Sequence, residues 1–240
     1  MPNVGQSLHS TENFDRIASE AYDESIPHHV MEHLTLRRAS FIRGSSFSGR
    51  VLDVGCGTGR LLSHLPSAEY ERFGIDISLG MVQQAIQRDS LLQCMRGSAT
   101  ELPFPDDTFD VVFCAAVLHH LAHKEAVRNA IQEIVRVTRS GGTAIIWDHN
   151  PRNPYWPWLM ARVPQDIGEE RLIPMVEIRE ALQQLPSLSM AKVSCHQITF
   201  IPDFAPVWAL PVLTFAERIC EATPIIRNIS AHNVVVVKKG

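Results

Sequence analysis

Three glycines stand at alternate positions in Asp53-Val54-Gly55-Cys56-Gly57-Thr58-Gly59, directly after a run, Arg50 to Val54, that reads as a buried strand. Residues without a Cβ permit a tight turn and let a ligand lie against the main chain. A helix starting just beyond would add unpaired N–H groups and a positive dipole end, suited to a carboxylate or phosphate. Glycines also end strands that bind nothing, so the loop alone leaves both readings open.

The flanking sequence sets the fold. Short apolar runs at 72–76, 92–96, 109–114 and 143–147 match strands of a parallel sheet covered on both faces. Between them, Ser78 can cap a helix with Met81, Val82, Ala85 and Ile86 on one face. A second helix, about Lys124 to Val137, carries Val127, Ala130, Ile131 and Ile134 on one stripe and is broken by Ser140-Gly141-Gly142. Strand–helix alternation implies right-handed crossovers in an α/β, doubly wound fold. Residues 14–42 read as helical, 192–201 as a strand, 210–222 as a helix and 233–238 as a final strand. The 240 residues, 45% of them hydrophobic, suit one domain. It divides into a helical cap (1–48), a binding core (49–148), a lid or insertion (149–190) and C-terminal strands and helix (191–240).

Asp76 ends the next strand, close to the offset of about 20 residues expected for an acid that accepts ribose hydroxyls. It could instead share the cap of the following helix, although Ser78 is better placed for that. Loop and acid together point to an adenosine-containing ligand. The dinucleotide fingerprint leaves two residues before its third glycine. Here only Thr58 separates Gly57 from Gly59, which argues against NAD. Asp53, ill-suited beside a pyrophosphate, could face the ammonium of an amino acid.

These segments, with Leu102-Pro103-Phe104-Pro105-Asp106-Asp107-Thr108-Phe109-Asp110, Val117-Leu118-His119-His120-Leu121 and Val135 to Gly142, resemble in order the class I methyltransferases, especially those related to ubiquinone and menaquinone biosynthesis. The resemblance covers residues 50–148. It implies a Rossmann-like seven-stranded sheet, mostly parallel with an antiparallel last strand, and S-adenosyl-L-methionine along the strand ends, with S-adenosyl-L-homocysteine as product. Asp53, Gly55, Cys56 and Gly57 then cradle the methionine part and Asp76 the ribose. Ile77 and Met81 flank the adenine, Ser98 and Ala99 lie at its amino edge, and Cys114 and Ala115 lie beneath the sulfonium. Ser98 departs from the Asp often found there and should be a weaker acceptor. Tyr22, in the N-terminal cap, is expected to touch the cofactor.

Methyl transfer needs alignment and, for some acceptors, removal of a proton. His119, Asp148 and His149 follow the fourth and fifth strands and are the candidate catalytic residues; one of the pair His119–His120 is expected to be structural. Asn150 to Trp158, rich in proline and aromatics, reads either as a cover over an apolar or ring-containing acceptor or as packing. Arg152 could hold an acidic group but defaults to solvent. His28, His29 and His33 lack sequence neighbours that would make a metal site, so no metal is expected and a polar helix face is preferred.

Lys plus Arg number 22 against 26 acidic residues, a net charge of -4 that leans against nucleic acid. Five scattered cysteines without a CxxC pair suit reduced thiols. With no signal-like or spanning segment, the expectation is a cytoplasmic protein acting on a small molecule. Competing readings are a nucleic-acid or protein methyltransferase, to which Asn153-Pro154-Tyr155 is a displaced echo, a non-catalytic binding partner, and an NAD enzyme. Oligomeric state is left open.

Overall fold

The computed structural model describes residues 8–19, 26–162, 168 and 170–240. Seven strands form one sheet: β1 (Gly49–Val54), β2 (Tyr70–Asp76), β3 (Gln93–Arg96), β4 (Phe109–Ala115), β5 (Thr138–His149), β6 (Lys192–Ile198) and β7 (His232–Lys238). Their spatial order is β3-β2-β1-β4-β5-β7-β6. The first five are parallel, and β7 runs antiparallel to both β5 and β6. The chain's last strand is therefore the reversed one, as expected, in a Rossmann-like sheet whose order turns back beside β1. Ligands of such sheets sit outside the strand C-termini at that switch point.

Side-chain alternation explains why the central strands read as continuous apolar runs. Val112, Cys114, Ala144, Ile146 and Val235 face one core cluster, while Val111, Phe113, Ile145, Trp147 and Val234 face the other. Each face is covered by helices, so both phases of the two-residue period must be apolar.

The helices are α1 (Leu8–Ser19), α2 (His28–Ser45), α3 (Arg60–Ser63), α4 (Leu79–Arg88), α5 (Lys124–Val137), α6 (Trp156–Met160), α7 (Met175–Gln183) and α8 (Leu210–Ala222). Ser78 caps α4 through Met81 N–H at 3.1 Å. Met81, Val82 and Ala85 are buried beneath α4, but Ile86 is exposed at its edge. Two expectations need correction. The helix after the glycine loop is a single turn, α3, too short to build much of a dipole. The Ser140-Gly141-Gly142 break lies inside β5, where the register against β4 shifts between Phe109 and Val111. It is a bulge, with Gly142 pressed so close to Asp110 O and Arg139 O that a Cβ would lie 2.9 Å from each.

The segment 149–190 has two characters. Its second half is core, since Ile173, Ile178, Ala181 and Leu182 pack into the cluster shared with α5. Its first half carries α6 over the strand ends. At the N-terminus α1 packs on α4: Ile17 and Phe14 contact Met81, and Asp15 accepts hydrogen bonds from Ser78 Oγ (2.6 Å) and Gly80 N–H (3.1 Å).

Of the α2 histidines, His28 is exposed, as a polar face would be, but His29 and His33 are engaged. His29 bonds to Ala205 O and His33 to Glu217 at 2.9 Å, joining α2 to α8. Arg37 reaches Glu217 and Glu221, and these carboxylates accept the Phe200 and Thr199 amides. Burial alone would raise the Glu217 carboxyl, but its His33 bond and the Arg37 charge outweigh that and hold it below the usual range. Its depressed value stabilises the fold above the ordinary carboxylate range and is lost as the group is protonated in acid. Glu217→Ala leaves Arg37 its bond to Glu221 but orphans His33 and the Phe200 amide. It should cost about 1–3 kcal/mol of unfolding free energy, read by urea denaturation. A loss near zero would mean that α8 is held by something else.

Candidate active site

At the C-terminal ends of β1, β2, β4 and β5 lies a cavity of about 420 Å3, within the range of small-molecule sites. Gly55, Gly57, Asp76 and Met81 line one end, and His119, His149 and Trp156 the other.

The three glycines do different work. Gly55 (φ 76°) hands its N–H to Ile75 O at 2.7 Å, and a Cβ there would collide with Val117. Gly59 (φ 73°) is pressed against Leu92 and Ala85. Gly57 (φ 51°) faces open space. Two glycines thus seat the bend, and the third leaves backbone bare toward the cavity.

Asp76 locks that bend. Its Oδ2 accepts Gly57 N–H at 2.9 Å and its Oδ1 accepts Ser78 N–H at 2.9 Å. It therefore also takes part in the α4 turn, the role that sequence reading ranked lower. Burial raises its carboxyl, and the bonds from Ser78 and Gly57 oppose the rise. Asp53 has a starker position: deeply buried at the end of β1, it is pushed up to about 8 by burial, with Arg38 pulling the other way. A carboxylate so placed gains strongly from an added cation.

Not every expected contact residue faces the cavity. Cys56, Ile77, Ala99 and Ala115 line it, whereas Ser98 and Cys114 do not. Ser98 Oγ is engaged with Thr100 Oγ1 (2.8 Å), and Cys114 is turned into the core on the other face of the sheet. Alternation along β4 decides this, because neighbouring residues point oppositely. Tyr22 lies outside the described residues. Cys56 carries its thiol toward Cys94, both against the bare Gly74, and all five cysteines are free thiols.

Beyond the bend, four rings stack in a column. Centroids are 4.0 Å apart for His120–His119, 4.2 Å for His119–His149 and 3.7 Å for His149–Trp156. Imidazoles this close cannot all be charged. Burial holds His149 well below its ordinary value and lowers His120 to about 4, each further opposed by His119. His119 differs in having a carboxylate behind it: Nδ1 lies 2.8 Å from Asp148 Oδ1. Burial would raise the Asp148 carboxyl, yet His119 and backbone N–H groups bring it below the usual range. An ionised Asp148 fixes the proton on Nδ1 and leaves Nε2 as the basic nitrogen. Asp148 itself is fully buried and is not among the residues lining the cavity, whereas His119 and His149 are.

His149 Nδ1 has no hydrogen-bond partner among the described residues. His119, Asp148 and His149 each offer a ligand atom within 4.8 Å of the others, a spacing that a metal could accept. Asp148 already accepts from His119 Nδ1, His119 N–H and His149 N–H, an arrangement that favours a hydrogen-bonded dyad.

His120 also lines the cavity, edge-on to Phe14 at 5.0 Å and 3.8 Å from Glu170. Trp156 is buried and donates to Ala231 O at 2.6 Å. Tyr155 bonds to Asp203, and Arg152 is exposed. Asn153 donates from Nδ2 to Ile229 O and accepts Tyr155 N–H at Oδ1, which orients its amide.

Sequence reading missed Arg38, Thr199 and His232, which also line this half. The register pair His149↔His232 would have revealed the last of these once β7 was known to be antiparallel. Ala116 (φ 57°) and Thr199 (φ 70°) are non-glycine residues in the left-handed region, and both line the cavity. Strain of this kind collects at functional sites.

Residues 52–146 match the family described as Methyltransferase domain. A demethylmenaquinone methyltransferase of Renibacterium salmoninarum is 31% identical over 121 residues, which are 48% of this chain and 50% of that protein. A tRNA (carboxymethyluridine(34)-5-O)-methyltransferase of Arabidopsis thaliana is 30% identical over 143 residues, 58% of this chain and 34% of that protein. The chain thus spans about half the length, or less, of the curated relatives it matches. A SAM-dependent methyltransferase structure from Thermotoga maritima superposes with a TM-score of 0.68 at 19% identity, covering 97% of this chain and all of that one. Domain match, strand order and glycine bend agree: residues 52–146 match the methyltransferase domain family, and the sheet has the fold of the solved methyltransferase structure it superposes on.

Proposed function

We propose that the protein transfers a methyl group from S-adenosylmethionine to a small apolar or ring-containing acceptor, with His119 as general base. The observation that carries this is one cavity holding both halves of the reaction: the glycine bend with Asp76 at one end and the Asp148-backed imidazole at the other. The residues fit the cofactor. Asp53 would take the ammonium, the bare Gly57 backbone the amino-acid chain, Asp76 the ribose hydroxyls through its remaining lone pairs, and Ile77 and Met81 the adenine faces. Ala99 would edge the adenine and Ala115 would lie below the sulfur. Ser98 would contribute only by turning away from Thr100.

When bound, the cofactor supplies a methyl group made electrophilic by a sulfonium. His119 Nε2 would take the acceptor's proton, and Asp148 would hold the imidazolium so produced. Burial keeps His149 and His120 neutral, so the proton stays where the carboxylate compensates it. The His149–Trp156 stack provides a flat wall for a ring, and the orphaned Nδ1 of His149 a single polar anchor. The cap helices and α6 exclude water from this end.

A polynucleotide acceptor is the second reading, supported by the tRNA methyltransferase among the relatives. The acidic balance and the engaged amide of Asn153 favour the small molecule. Labelled methyl offered with a metabolite pool, or with RNA, distinguishes them. Label reaching no acceptor from a protein that binds S-adenosylhomocysteine would instead mark a non-catalytic binder.

Two outcomes follow from the electrostatics. Because Asp53 holds its proton up to about pH 8 and must ionise to meet the ammonium, S-adenosylhomocysteine affinity should rise between pH 6 and 8, by at most about tenfold per unit, then level off. Asp53→Asn should flatten that profile in calorimetric titrations; an unchanged slope removes Asp53 from the ammonium site. With the acceptor identified by label, Asp148→Asn and His119→Ala should each lower kcat about 10²–10⁴-fold with S-adenosylhomocysteine affinity kept, while His149→Asn lowers it less. A larger loss in His149→Asn than in His119→Ala would reverse the assignment.

A further inference from the structure

One helix of this protein is inside out. The buried face of α8 carries Glu217, only 2% exposed, and Glu221, both bound to α2 and to the backbone at Thr199 and Phe200. Its outward face is apolar: Trp208 just before the helix is 80% exposed, Val212 71%, Phe215 65% and Ile219 52%. A free surface helix does the opposite, turning its apolar stripe to the core.

We infer that this stripe is a self-association surface, on which α8 of one copy packs against α8 of a second. Three observations select that occupant. The spacing 208, 212, 215, 219 runs four, three, four, the seam by which one helix packs on another. The stripe carries no charge, and an uncharged seam is self-complementary under two-fold symmetry. The area is also sufficient. A large aromatic carries about 150–250 Å2. With Phe204 and Val207 also exposed beside the stripe, each copy offers several hundred Å2 of apolar surface, close to the ~800 Å2 per partner of a stable interface. A lipid surface fits less well. Interfacial helices carry a lysine- and arginine-rich polar face, and the only basic residues between Phe204 and Ile229 are Arg218 and Arg227. The seam is continuous with the site, since Phe200 to Asp203, which line the cavity, lead directly into it. Pairing would therefore brace that wall. This inference stands apart from the methyl-transfer reading.

Sedimentation equilibrium of the full chain tests it. The expected result is twice the mass of one chain, falling to a single mass on dilution. Phe215→Glu, or independently Val212→Lys, should give the single-chain mass under conditions where wild type is paired, with circular dichroism and thermal midpoint showing a folded protein. A wild-type chain that stays single at every concentration overturns the inference, and needs no variant. So does pairing that survives both substitutions. Flotation of the wild type with phosphatidylcholine–phosphatidylglycerol vesicles, lost in Phe215→Glu, with no pairing in solution, would assign the stripe to a lipid surface instead.

Discussion

The bond from Gly57 N–H to the Asp76 carboxylate joins the loops that follow β1 and β2. It fixes the glycine bend at the end of β1 against the end of β2, while the same carboxylate starts α4 through Ser78 N–H. One buried acid thereby sets the outline of the ligand cleft and keeps lone pairs directed at it. Closeness of the two strands makes this affordable: Val54 and Ile75 are register partners, so the loops leave the sheet side by side. The parallel sheet supplies position, and the bare backbone at Gly57 supplies access.

At the other end of the cavity, charge economy chooses the working group. Three imidazoles and an indole in one column give a surface that is flat, largely desolvated and poor at carrying charge. Burial disfavours a proton at His149 and, despite Glu170 nearby, at His120, whereas His119 has the Asp148 carboxylate within 2.8 Å. Neighbouring histidines that look equivalent in sequence are thus unequal by environment, as pairs of titratable groups at catalytic sites commonly are.

The sequence made the core and the cofactor end legible because both depend on local pattern. Apolar runs, alternate glycines and a carboxylate one strand later lie within 27 residues, Arg50 to Asp76, and their meaning does not require distant partners. The placement of Cys114 was less legible, since a one-residue change of phase turns a strand residue away from the cavity, and that of Ser98 depends on its local bond to Thr100 in the loop after β3. The helix-breaking pattern at Ser140-Gly141-Gly142 was real but fell within β5 as a bulge. Least legible were contacts across the whole chain. His33 and Glu217 are 184 residues apart, and nothing near either one announces the pairing that turns α8 inside out. His232 enters the site only because the last strand is reversed.

The most direct test of the account is calorimetric titration of the folded protein with S-adenosylhomocysteine and, separately, with NAD, in wild type and in Asp76→Ala. The geometry predicts a one-to-one complex with S-adenosylhomocysteine, none with NAD, and at least a tenfold loss of affinity when Asp76 can no longer accept both a backbone amide and a ribose hydroxyl. A correctly folded wild type that gives no heat with S-adenosylhomocysteine, or that prefers NAD, would contradict it.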